Sequence, residues 1–86
     1  RLDLHLEESK KQEIVANCKA GKYSKFGDID VTGLEDIDGW KYNLKDEEIL
    51  MIRASGTEPV LRVYAEASSA ERVEEILIKA KAELLG

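Results

Sequence analysis

The residues best equipped for chemistry in this chain stand together at Arg53-Ala54-Ser55-Gly56-Thr57-Glu58-Pro59. Ser55 and Thr57 each bring a hydroxyl donor, and Gly56 lets the backbone turn and approach a ligand closely. Consecutive amides in such a turn can face one concavity and hold an anion. Arg53 offers a planar fork that matches phosphate oxygens, and Pro59 stiffens the exit. A cation, two hydroxyls and free amides in one short segment describe a phosphate cradle. The same composition also describes a plain tight connection between strands. Two features favour the cradle. Arg53 belongs to an otherwise apolar run, where a charge needs a partner. Arg53 and Arg62 also outnumber Glu58 locally, whereas 13 Lys+Arg against 18 Asp+Glu leave the whole chain at −5.

The loop interrupts two strand patterns that must hold it. In Ile49–Ala54, Leu50, Ile52 and Ala54 share one face and Met51 and Arg53 the other; in Leu61–Ala67, Leu61, Val63, Ala65 and Ala67 point inward and Arg62, Tyr64 and Glu66 outward. Further out, Leu2, Leu4 and Leu6 alternate as a short strand. Ser9 with Gln12 reads as a capping box for a helix over 10–20, with Ile14, Val15 and Cys18 as its apolar stripe and Gly21 as its stop. The acidic stretch 27–48 holds two short strands, Asp28–Thr32 and Trp40–Leu44, separated by Gly33 and Asp38-Gly39. Ser68 with Glu71 opens a second helix whose apolar face is Val73, Ile76, Leu77, Ala80 and Leu84. The order is β-α-β-β-β-β-α, an α+β domain with two helices on one face of a mostly antiparallel sheet.

Composition excludes several function classes. Eighty-six residues allow one domain, 1–86, with a modest core. The negative balance argues against nucleic acid and acidic membrane surfaces as partners, and no apolar run approaches the ~18–20 residues of a membrane helix. Cys18 and His5, one of each in the chain, build neither a disulfide nor a zinc site, and a reduced, cytoplasmic setting is expected. Asp28-x-Asp30-x-Thr32-Gly33 begins like a calcium loop, but Gly39 stands where the bidentate Glu is needed, so no metal site is expected. His5 has no nucleophile elbow to serve, and Cys18 shares a helix face with Ile14 as a buried, inert thiol would. Trp40, Tyr42 and Tyr64 lack the basic stripe of a base-stacking platform. The chain opens at Arg1 and its one methionine is Met51, so we expect a piece of a longer polypeptide.

The stretch from Ile52 to Glu66, with Arg53-Ala54-Ser55-Gly56-Thr57-Glu58-Pro59 at its centre, resembles the phosphate-binding loop of the α-D-phosphohexomutases: the phosphoglucomutases, phosphomannomutases and phosphoglucosamine mutases. Ile37-Asp38-Gly39-Trp40-Lys41 is similar to the strand of that family that begins with Asp-Gly and a basic residue. The resemblance lies in the family's fourth, C-terminal domain and implies a TATA-binding-protein-like β-α-β4-α fold. It implies direct phosphate contacts from Arg53, Ser55, Gly56 and Thr57, with Glu58 and Arg62 in support. It further implies that three other domains supply the phosphoserine, the magnesium and the choice of sugar, so that this chain holds no catalytic residue and is inactive alone. The implied partners are a hexose phosphate and those three domains. The implied reaction moves a phosphoryl group between O1 and O6 of a hexose through a bisphosphorylated intermediate. Ala54 leans toward the phosphoglucomutase/phosphomannomutase group. A reading of another class stays open: a self-standing anion-binding or regulatory module that reuses the loop.

Overall fold

The computed structural model describes residues 1–86. In chain order the elements are β1 (Leu2–His5), α1 (Glu8–Lys19), β2 (Lys25–Phe26), β3 (Ile29–Asp36), β4 (Trp40–Leu44), β5 (Ile49–Ala54), β6 (Val60–Glu66) and α2 (Ala70–Leu85), with a short 3-10 turn at Lys45–Glu47. The strands form one six-stranded sheet ordered β1-β6-β5-β4-β3-β2. Every pairing is antiparallel. The register aligns Trp40 with Ile52, Tyr42 with Leu50, Ile52 with Val63, and Leu4 with Leu61, so their side chains fill one face. Ile14 and Cys18 of α1 and Ile76, Ala80 and Leu84 of α2 close over that face in a single core. The α+β layer with both helices on one side agrees with the sequence reading.

The structure differs from that reading in four local details. α1 starts at Glu8 after Glu7, with no side-chain cap; Gln12 bonds the Glu8 carboxylate, so the Ser9 box is not made. The cap of α2 is Ser69, one residue later than expected, its Oγ accepting from the Arg72 amide at 3.1 Å. β3 runs through Gly33 to Asp36, with its irregularity between Val31 and Gly33 absorbing the expected break. A sixth strand, β2, joins β3 across Gly27-Asp28, where Gly27 takes φ +66°. Two residues are too few to show periodicity. What holds β2 is Phe26, fully buried with its ring 5.0 Å from Tyr42 and 5.6 Å from Tyr23.

One ion pair ties α2 to the sheet. Arg72 in its first turn donates from Nε and Nη2 to the two oxygens of Glu48, at 2.7 and 2.8 Å, and from Nη1 to Glu75 at 2.7 Å. Glu48 is 8% exposed, and Arg72 holds its carboxyl below the ordinary value of 4.5. A carboxylate lowered on folding contributes stability that is complete above its unfolded pKa and disappears as pH falls through the folded one. Glu48→Gln is therefore expected to lower Tm by about 5 °C at neutral pH and to flatten its decline below about pH 4.5, as followed by thermal melts across pH 3–7. An unchanged melt at pH 7 would show that the pair does not hold α2.

Candidate functional site

The loop between β5 and β6 is closed at its base by the Ser55 amide donating to Val60 O at 3.1 Å. Inside it, Ser55 Oγ accepts from the Glu58 amide at 3.1 Å and the Thr57 amide at 3.4 Å, a local turn that keeps the hydroxyl proton free to donate outward. Val60 N donates to Glu58 O at 2.8 Å, and Leu6 N donates to Pro59 O at 2.9 Å, which ties the exit to the end of β1. From below, Lys11 Nζ donates to Ser55 O at 2.6 Å and to Glu58 O at 3.1 Å. Thus the loop is shaped by the fold around it.

Arg53 lies on the sheet face opposite the helices, directly across from Arg62. Its side chain is 47% exposed, and Nη2 sits 3.1 Å from Asp38 Oδ2. The partner that an arginine in an apolar strand needs is thus the turn of the β3–β4 hairpin. That turn can lie so close because residue 39 is glycine. Its φ is +119°, and a Cβ there would stand 2.7 Å from Ile52 O and 2.8 Å from Arg53 Cγ. Arg62 Nε lies 4.0 Å from Asp3 Oδ1, which Arg1 Nε also approaches at 3.3 Å. Two like charges side by side on a sheet repel; here each is flanked by an acid.

The expected residues are therefore together on one short segment at the sheet's end. The amides differ from expectation. Those of Thr57 and Glu58 turn inward to Ser55 Oγ, so the concavity of several free amides narrows to one, that of Gly56, which has no acceptor in the chain. Gly56 and Thr57 are exposed. A Cβ on Gly56 would meet nothing within 4 Å, and its φ is not left-handed, so the fold of this chain does not demand glycine there. Glu58 supports the loop through its backbone, by its amide to Ser55 Oγ and its carbonyl to Lys11.

Lys11 is the residue the sequence reading missed. It is 5% exposed on the same helical face as Ile14 and Cys18, three and seven residues on. A lysine on a core-facing stripe was the available signal, because a buried ammonium must find acceptors. A groove of about 430 Å³ lies beside the loop on the open face, lined by Lys41, Ile49, Met51, Arg53, Tyr64, Ala65 and Glu66. Only Arg53 belongs to both. Tyr42 is fully buried and Trp40 nearly so, which removes them from any stacking surface. Cys18 is buried, and burial pushes its thiol and the Tyr42 phenol above their ordinary values. His5 is exposed. No helix is long and apolar enough to cross a membrane.

A six-stranded antiparallel sheet backed by two helices, with an arginine and a Ser-Gly-Thr loop at one strand end, defines the class of domain. Its family follows from comparison with known proteins. The chain belongs to the phosphoglucomutase/phosphomannomutase C-terminal domain family, whose model matches residues 5–81. It is 32% identical over 77 residues to a probable phosphoglucosamine mutase of Thermococcus gammatolerans, covering 87% of this chain and 15% of that protein. A phosphomannomutase of Sinorhizobium fredii is 35% identical over 77 residues, covering 83% and 16%. A phosphoglucomutase/phosphomannomutase of Thermococcus kodakarensis is 35% identical over 75 residues, covering 85% and 14%. The chain thus spans about 15% of the length of these relatives.

The Gly39 contact makes a direct prediction. Gly39→Ala puts a Cβ against the Ile52 carbonyl and a left-handed φ on an L residue, at a cost of roughly 1–3 kcal/mol. Tm is expected to fall by about 5–15 °C, and the Arg53–Asp38 contact to open in a structure of the variant. Wild-type stability would show that the turn relaxes without using Arg53.

Proposed function

We propose that this domain binds the phosphate of a hexose phosphate for a longer phosphohexomutase, which interconverts hexose 1-phosphate and hexose 6-phosphate through a bisphosphorylated intermediate. The observation that carries the reading is the unshared Gly56 amide beneath open space, on a loop that begins at Arg53. Glycine at 56 answers no need of the fold, and a closely approaching anion supplies one. Each part then has a task. The Gly56 amide and the Ser55 and Thr57 hydroxyls donate to phosphate oxygens, and the Arg53 fork supplies charge and direction. Asp38, on the β3–β4 turn, holds that fork at 3.1 Å. Arg62 adds positive charge beside Arg53, and the Glu58 backbone holds the turn.

Nothing in this set reads a sugar. A cradle that recognises only phosphate can hold either end of a bisphosphate, as a reaction that inverts its intermediate requires. The phosphoryl group itself is transferred elsewhere, so this domain works by positioning. The magnesium that the family resemblance implies is assigned, in this reading, to the rest of the longer polypeptide. The relatives are a probable phosphoglucosamine mutase, a phosphomannomutase and a phosphoglucomutase/phosphomannomutase, names that are compatible with a shared phosphate grip. A cytoplasmic location accords with phosphosugar chemistry and a free cysteine.

A hydrogen bond to a charged group contributes about 1.5–3 kcal/mol. Arg53→Ala in the mutase that carries this domain is therefore expected to lower kcat/KM for hexose phosphate about ten- to a hundredfold, each 1.4 kcal/mol being tenfold. Steady-state kinetics read this directly, and an unchanged kcat/KM would overturn the assignment.

A further inference from the structure

We propose that Lys11 is a positioning residue of the phosphate loop, which turns the Gly56 N–H toward the bound anion by holding the Ser55 carbonyl from behind. The inference rests on the phosphate-binding reading above and adds to it a residue far away in sequence. Lys11 Nζ donates to Ser55 O at 2.6 Å, across a separation of 44 residues. Ser55 C=O and Gly56 N–H belong to one planar peptide, and the chain has no cis bond, so the two groups point in opposite directions. Drawing the carbonyl down onto α1 therefore drives the amide up and outward. That amide is the one in the loop left without an acceptor.

The second clamp bond fits the same design. Lys11 also donates to Glu58 O at 3.1 Å, and that peptide continues into Pro59, which has no N–H. Of the two peptides held from below, only the first can present a donor above. The ammonium is also poorly neutralised. Its one carboxylate neighbour within 4.0 Å is Glu8, at 3.6 Å and with a side chain 59% exposed, whereas the Lys11 side chain is 6% exposed. A buried cation bonded to a carbonyl polarises that peptide and strengthens its N–H as a donor. Lys11 thus gives the loop both its aim and part of its positive field, without touching the ligand.

The test uses the mutase that carries this domain, with hexose 1-phosphate as the probe and Lys11→Met as the variant, which keeps side-chain length and removes charge and donors. KM is expected to rise about tenfold with kcat within about threefold, because the phosphate held here is not the one transferred. Arg53→Ala, measured beside it, reports on phosphate binding by itself. If Arg53→Ala lowers kcat/KM while Lys11→Met leaves KM alone, whether or not its Tm drops, Lys11 is merely structural and the inference is overturned. If neither variant changes kcat/KM, the phosphate reading falls and the role of Lys11 falls with it. Should Lys11→Met fail to fold, amide hydrogen exchange on the wild-type chain decides. The Gly56 amide is expected to exchange at least about tenfold faster than that of Glu58, after correction for intrinsic rates. Equal protection would show that Gly56 N–H does not face outward, and would overturn the proposal.

Discussion

The pairing of β5 with β6, with Ile52 opposite Val63 and Arg53 opposite Arg62, is the constraint on which the rest depends. Because side chains alternate with a period of two, a slip of one residue in β5 would send Arg53 into the core and Ile52 into water. Ile52, Leu61 and Val63 are fully buried, and each such side chain contributes roughly 1.5–3 kcal/mol by leaving water. The hydrophobic core therefore fixes the register, and the register fixes where the loop begins and which way its arginine faces. The Ser55 amide bonding Val60 O is the next rung of the same ladder. In this sense the site is an extension of the sheet.

The open face of the sheet shows how the charge is managed. Arg53 and Arg62 are neighbours, and their mutual repulsion is relieved at the two ends by Asp38 and Asp3. Being exposed, these pairs contribute little to stability. Their use is to hold two cationic groups in place and soluble in a chain whose net charge is −5. If a phosphate dianion binds here as proposed, it meets two guanidinium groups that Asp38 and Asp3 already flank. The helices, on the other side, add the structural supports: Arg72 fastens α2 through Glu48, and Lys11 reaches through α1 to the loop's backbone.

How much of this was legible in the sequence depends on the range of the interactions. The strands flanking the loop could be read because Leu50 and Ile52 share one face against Met51 and Arg53, and Leu61 and Val63 one face against Arg62 and Tyr64, and such alternation is local. The loop residues could be read because Ser, Gly, Thr and Arg carry the chemistry themselves. What escaped was set by tertiary contact. β2 exists because Phe26 meets Tyr23 and Tyr42, and the cap of α1 is absent because Gln12 finds Glu8 first. The number of free amides was overcounted because Ser55 Oγ folds back on its own loop. Lys11 was missed for the opposite reason, since its acceptors lie more than forty residues away. Its place on an apolar stripe was a clue of the right kind, but a buried lysine names its partners only once the fold is known.

A phosphate cradle at the end of β5, as proposed, must meet phosphosugar with its own amides. The most direct measurement is a titration of the ¹⁵N-labelled chain with glucose 6-phosphate, followed by amide chemical shifts, with glucose as the control. The Gly56 amide and the Arg53 Nε–H are expected to shift most, core amides to stay still, and glucose without phosphate to move none of them. Shifts centred away from residues 53–57, or equal shifts with glucose, would contradict it.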